Sequence, residues 1–159
     1  MIVHANYIAD LYYPGWFVNR HVEFWKRFLG EHKEDITICL ENVMENEPDL
    51  LQEIIKQVGD PRFRMCLDVG HANLTPMAPI DWLRMCAPYI SHYHIHNNDG
   101  PAGLPRRNMG DKHSALGKGN IDMLTLLRTA EQLTPDATAA IESYEPEESV
   151  RWLAENGLI

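Results

Sequence analysis

The chain has 159 residues, 23 acidic and 14 basic, for a formal charge of −9. That length makes one domain with its own core, and 45% hydrophobic with 23% charged residues excludes disordered and low-complexity classes. The acidic excess argues against general binding to nucleic acid or to an anionic membrane.

Three cysteines, Cys39, Cys66 and Cys86, do not make a disulfide framework and fit a reducing compartment. Met1 is followed by neither a basic leader nor a long apolar run, so the expectation is a cytoplasmic protein without a membrane span.

Ile2-Val3-His4 is a short apolar run that reads as a first strand. Phe17, Phe24, Phe28 and Leu29 share one face of a helix that Gly30 stops. Residues 36–40 (ITICL) are β-branched and short, a buried strand. Pro48 opens a helix whose inner side is Leu50, Leu51, Ile54, Ile55 and Val58, and Gly59-Asp60-Pro61 ends it. Residues 64–69 read as a strand, 79–86 as a short helix and 89–96 as a strand. A polar loop with several Gly and Pro runs to about residue 120. Helix 121–133, strand 138–141 and a helix begun by Pro146 complete the chain.

Alternation of this kind predicts a mainly parallel sheet covered by helices, an α/β fold. Gly117-Lys118-Gly119 lacks the rest of any dinucleotide or phosphate loop and reads as a turn.

The chemistry collects where strands end. His4 closes the first run, Glu41 follows ITICL, Asp68 sits late in RMCLDV with His71 three residues on, His96 closes HYHIH, and Glu142 follows TAAI. Asp111 and His113 lie in the long loop. Sites in α/β sheets and barrels are built at this edge. Two Glu, one Asp and one His from four strand ends form an oxygen-rich set whose carboxylates would repel one another without a cation. That donor mix suits Mn²⁺, Mg²⁺ or Co²⁺ and accepts Zn²⁺. His92, His94 and His96 alternate and share a face, which is ordinary for core histidines, and His21, His32 and His92 receive no role.

ICLEN (38–42), LDVGHAN (67–73), HIHNND (94–99), DKHSALGKGNID (111–122) and AIES (141–144) occur in this order through most of the chain. Together they resemble the successive motifs of the xylose isomerase-like TIM barrels, which include sugar phosphate isomerases and epimerases and nucleases of the endonuclease IV type. The resemblance implies metal ligands at Glu41, Asp68, His96 and Glu142. It gives His71 a substrate contact or a further zinc, sets Asp111 and His113 beside that zinc, and assigns His4 to an additional metal. It also makes Glu41 and Glu142 the acid/base pair of a proton transfer, with His71 holding a substrate hydroxyl.

A complete (β/α)8 barrel takes roughly 250 residues. The expectation here is an incomplete TIM-barrel-like chain of about five βα units, a single domain at residues 1–159 that matches the C-terminal portion of the barrel. Open edges would favour self-association or a longer parent chain. The implied activity is isomerisation or epimerisation of a small sugar or sugar phosphate. A zinc phosphodiesterase acting on abasic DNA is a second reading, disfavoured by the acidic charge, and a non-catalytic remnant is a third. Trp16 is a candidate for stacking on a sugar ring, and Arg106 and Arg107 for holding a phosphate or carboxylate.

Overall fold

The fold is known from a computed structural model, which describes residues 1–8, 10–43, 45–101 and 110–159. Five strands form one sheet: β1 (Ile2–His4), β2 (Ile38–Glu41), β3 (Phe63–Asp68), β4 (Ile90–Ile95) and β5 (Thr138–Ile141). Their order in space is their order in sequence, and every pairing is parallel. Among the described residues six helices connect or follow them: α1 (Pro14–Glu31), α2 (Asp49–Val58), α3 (Val69–Asn73), α4 (Pro79–Cys86), α5 (Met123–Leu133) and α6 (Pro146–Glu155). This is the wall of a β/α barrel with five strands in place, and among the described residues β1 and β5 are hydrogen-bonded to the sheet on one side only.

Local chemistry accounts for the element ends. Proline stands in the first turn of α1, α4 and α6, where its missing N–H costs nothing. Gly59 takes φ 67° and donates its N–H to the Ile55 carbonyl, closing α2. Glu147 and Glu148 lie in the first turn of α6, on the favourable side of the helix dipole.

Alternation along the strands separates two faces. Ile38, Leu40, Met65, Leu67, Tyr93 and Ile95 pack with Phe17, Trp25, Leu51, Ile54, Trp82, Leu83 and Leu126 from the helices. The other face carries Glu41, Cys66, His92 and Thr138 on one rung and Asp68, His94 and Ala140 on the next, toward the strand C-termini. That face holds the chemistry.

Three details depart from expectation. α1 starts three residues early, at Pro14, it runs through Gly30 to Glu31 with His32 as its cap, and α3 was not foreseen. α3 exists because the Asp68 side chain accepts the His71 N–H at 2.7 Å and caps it. Among the described residues no helix is long and apolar enough to cross a membrane.

Candidate metal centre

Parallel strands in sequential order bring their C-terminal ends to one edge, and the acidic residues meet there. Glu41, Asp68, His94 and Glu142 each place one donor atom within 4.8 Å of the others. His94 Nδ1 lies 3.1 Å from Glu41 Oε1, 3.2 Å from Glu142 Oε1 and 3.9 Å from Asp68 Oδ2. Glu41 and Asp68 are buried, whereas Glu142, just past the edge strand, is 35% exposed. His4, on β1, reaches the same group, with Nε2 3.2 Å from Glu41 Oε2.

The imidazole that faces Glu41 and Glu142 is His94, while His96, to which the sequence pointed, reaches the set through Asp68, with Nε2 3.1 Å from Oδ1. The register explains the change: Asp68 pairs with His94 across β3 and β4, and β4 ends at Ile95. His96 therefore lies beyond the strand and turns to a second set.

That second set is His71, His96, Asp111 and His113, again with donor atoms within 4.8 Å of one another. Asp111 Oδ2 is 3.3 Å from both His71 Nε2 and His113 Nε2, and His96 stacks on His113 with centroids 3.9 Å apart. The ring orientations are fixed from behind. His71 Nδ1 donates to the Asn42 carbonyl at 2.9 Å, and His113 Nδ1 donates to the Glu142 carbonyl at 2.7 Å. Both Nε2 lone pairs are thereby left for a ligand. Asp68 touches both sets, since its Oδ1 accepts from His96 Nε2 at 3.1 Å while Oδ2 faces His94.

The fit to cations can be tested on the polar atoms themselves. Among the described residues, the buried side-chain atoms without a hydrogen bond are Asp68 Oδ2, His94 Nδ1, His96 Nδ1 and Asp111 Oδ1. Native proteins rarely leave such atoms unpaired. Here all four belong to the two sets and point into them, so the residues suit bound metal.

Without metal, protonated imidazoles supply the positive charge. Burial alone would lower His71, but its hydrogen bond to Asp111 and the charges of Asp68, Asp111 and Glu41 push its pKa up to about 9. Burial also opposes ionisation of Asp68 and Asp111. Their histidine partners, His96 for Asp68 and His71 for Asp111, more than offset it and hold both below the usual carboxylate range.

A cavity of about 440 Å³ opens over the first set, and its walls include His4, Glu41, His71, His94, His113 and Glu142. Trp16 is not among its lining residues; it stacks on Tyr12 at 5.8 Å, in the first turn of α1. Arg106 and Arg107 lie outside the described residues.

Sequence reasoning missed three buried asparagines that position the site. Asn42 clamps Asp68, accepting its N–H at 2.8 Å and donating to its carbonyl at 2.9 Å. Asn97 donates to the Leu116 and Ile121 carbonyls and accepts from the Asn98 and Ile121 amides, fastening the long loop. Asn98 donates to the Gly70 carbonyl at 2.9 Å. The signal in the sequence was Asn42 directly after Glu41 and the pair Asn97-Asn98 directly after His96.

Comparison with known proteins agrees with the fold. The uncharacterized protein MJ1311 of Methanocaldococcus jannaschii is 27% identical over 163 residues, covering 95% of this chain and 53% of that protein. The crystal structure of a D-tagatose 3-epimerase-like protein superposes with a TM-score of 0.79 at 24% identity, over 99% of this chain and 61% of that one. The IolI protein, whose crystal structure has a binding zinc atom, gives a TM-score of 0.71 at 18% identity, over 99% and 60%. The chain thus spans about half the length of the curated relative and about three-fifths of these structures. A family model matches residues 1–156, and the chain belongs to the xylose isomerase-like TIM barrel family.

Proposed function

We propose that the chain carries the metal-holding part of a divalent-metal-dependent isomerase or epimerase acting on a small sugar or sugar phosphate. One observation carries the reading: Glu41 and Glu142 stand on either side of His94, in one cavity, with Asp68 beneath them. The sugar epimerase likeness of the D-tagatose 3-epimerase-like structure supports it.

Glu41, Asp68, His94 and Glu142 would hold the cation, with Mn²⁺, Mg²⁺ or Co²⁺ favoured by three carboxylates and Zn²⁺ also accommodated. When bound, it supplies Lewis-acid polarisation of a substrate carbonyl. One glutamate takes the proton from the carbon beside that carbonyl, and the other returns it. Return to the opposite face of the same carbon is epimerisation, and return to the neighbouring carbon is isomerisation. His71, locked by Asn42, turns Nε2 toward the cavity and holds a substrate hydroxyl. Asp68 is buried from substrate and positions the ligands around it.

The second set favours one other reading, a zinc phosphodiesterase on abasic DNA, since His71, His96, Asp111 and His113 add a metal position beside the first. The net charge of −9 opposes it. Elemental analysis and turnover separate the readings. About one Mn, Co or Mg per chain, with solvent deuterium entering a ketose from a panel of ketoses and their phosphates, supports the first. Glu142→Gln should abolish that exchange. Two or more Zn with cleavage of an abasic duplex supports the second, and a metal-loaded chain active on neither refutes both.

A further inference from the structure

A third cluster lies on the same face of the sheet and shares only His94 with the first set. Cys66, His92 and His94 each place a donor atom within 4.8 Å of the others. Cys66 and His92 are register partners across β3 and β4, and His94 follows on the next rung of the same strand face. The three donors thus come from two adjacent strands of a rigid sheet, which fixes their spacing better than a loop would.

Cys66 is fully buried, and burial with the nearby Glu41 and Asp68 charges pushes its thiol pKa up, so it stays a thiol until a cation is present. His92 has Nδ1 2.6 Å from Thr138 Oγ1, and with its proton there it donates to the hydroxyl and leaves the Nε2 lone pair free. His94 is 7% exposed, and its Nδ1, which makes no hydrogen bond, faces Glu41 and Glu142 at 3.1 and 3.2 Å. The other cysteines do not enter: Cys39 Sγ contacts Ser91 Oγ at 3.2 Å, and Cys86 Sγ contacts Gln52 Nε2 at 3.4 Å.

We infer that Cys66, His92 and His94 form a second, overlapping position for a thiophilic divalent cation such as Zn²⁺, centred on the rung of Cys66 and His92 and sharing His94 with the oxygen-rich centre. One thiolate and two imidazoles with an open coordination place suit zinc or cobalt and are poor for Mg²⁺ or Mn²⁺. Binding ionises the thiol and releases its proton. His94 belongs to both positions, so a thiophilic metal in the lower one draws this imidazole away from the upper one. Hard and soft cations therefore compete for this one imidazole.

Co²⁺ titration of the whole chain is the test, because a cobalt–thiolate bond gives a near-ultraviolet charge-transfer band that oxygen and nitrogen ligands do not. The band should appear in the parent chain, disappear in Cys66→Ser and persist in Glu142→Gln. His92→Asn, at a half-buried site, should weaken the Co²⁺ affinity read at that band by about tenfold or more. No band at saturating Co²⁺, a band retained in Cys66→Ser, or unchanged affinity in His92→Asn overturns the assignment. Failure of the upper centre looks different: Glu142→Gln would then leave cobalt stoichiometry unchanged, whatever the band does.

Discussion

Asn42→Ala tests how the centre is held in place. Asn42 is 1% exposed, and its amide makes two hydrogen bonds to the backbone of Asp68, at 2.8 and 2.9 Å. They tie the end of β2 to the last residue of β3, a carboxylate that touches both sets. Alanine leaves the Asp68 N–H without this partner and takes one of two hydrogen bonds from its C=O, which also opens α3. The first costs about 1–3 kcal/mol and the second about 0.5–1.5 kcal/mol, so stability should fall by about 1.5–4.5 kcal/mol. With a urea slope of about 2 kcal/mol/M, the unfolding midpoint drops by about 1–2 M at unchanged slope. Metal affinity should fall about 10–100-fold as well, because Asp68 loses its outer support. Asn42→Asp keeps the acceptor for the Asp68 amide but loses the donor and adds a charge beside Glu41 and Asp68, so it should recover little. The reasoning is falsified if Asn42→Ala unfolds within about 0.3 M urea of the parent, a change of only about 0.6 kcal/mol.

Gly70→Ala would set a methyl 1.9 Å from His96 Cε1 and 2.3 Å from its Nε2, in a ring that is fully buried. His96 must leave Asp68, so a loss of about 1–3 kcal/mol and weaker zinc binding are expected, and an unchanged thermal midpoint would count against the packing described. In the metal-free chain, His71 binds its proton more tightly folded than unfolded. It therefore contributes full stability below its ordinary pKa of 6.5, and that contribution is lost as pH rises through about 9. Urea midpoints across that window should fall in the parent and stay flatter in His71→Gln; parallel profiles would discard the linkage. Metal at about 100 times its dissociation constant should add about 2.7 kcal/mol to the parent, read as a raised melting temperature that chelator reverses. The gain should vanish in Asp68→Ala, and a metal-dependent rise there would show that binding lies elsewhere.

Much of this arrangement was legible in the sequence. Glu41, Asp68 and Glu142 stand out because a short β-branched run followed by an acid marks a strand end, and consecutive parallel strands bring such ends to one edge. His94 was not separable from His92 and His96, since period-two alternation puts all three on one face. Which rung meets the carboxylates depends on strand stagger, including the register shift between Met65 and Cys66. α3 escaped because VGHAN is too short to show periodicity and forms on the Asp68 cap. Asn42 and Asn97 act through side-chain amides that bond backbone far away in sequence, which no periodicity encodes. Trp16 carries the right chemistry for stacking on a sugar, but α1 places it against Tyr12.

The strict sequential order of the strands also sets the order in which the centre can assemble. Each strand finds its partner one connection away, so the sheet can grow by accretion in the direction of synthesis, with little loop entropy lost at each step. Glu41 and Asp68 come together once β2 and β3 pair, and His94 joins with β4. Glu142 follows β5, which among the described residues pairs with β4 alone, so the fourth donor joins only when that strand is in place. The full set thus exists only once β2, β3, β4 and β5 are all in register.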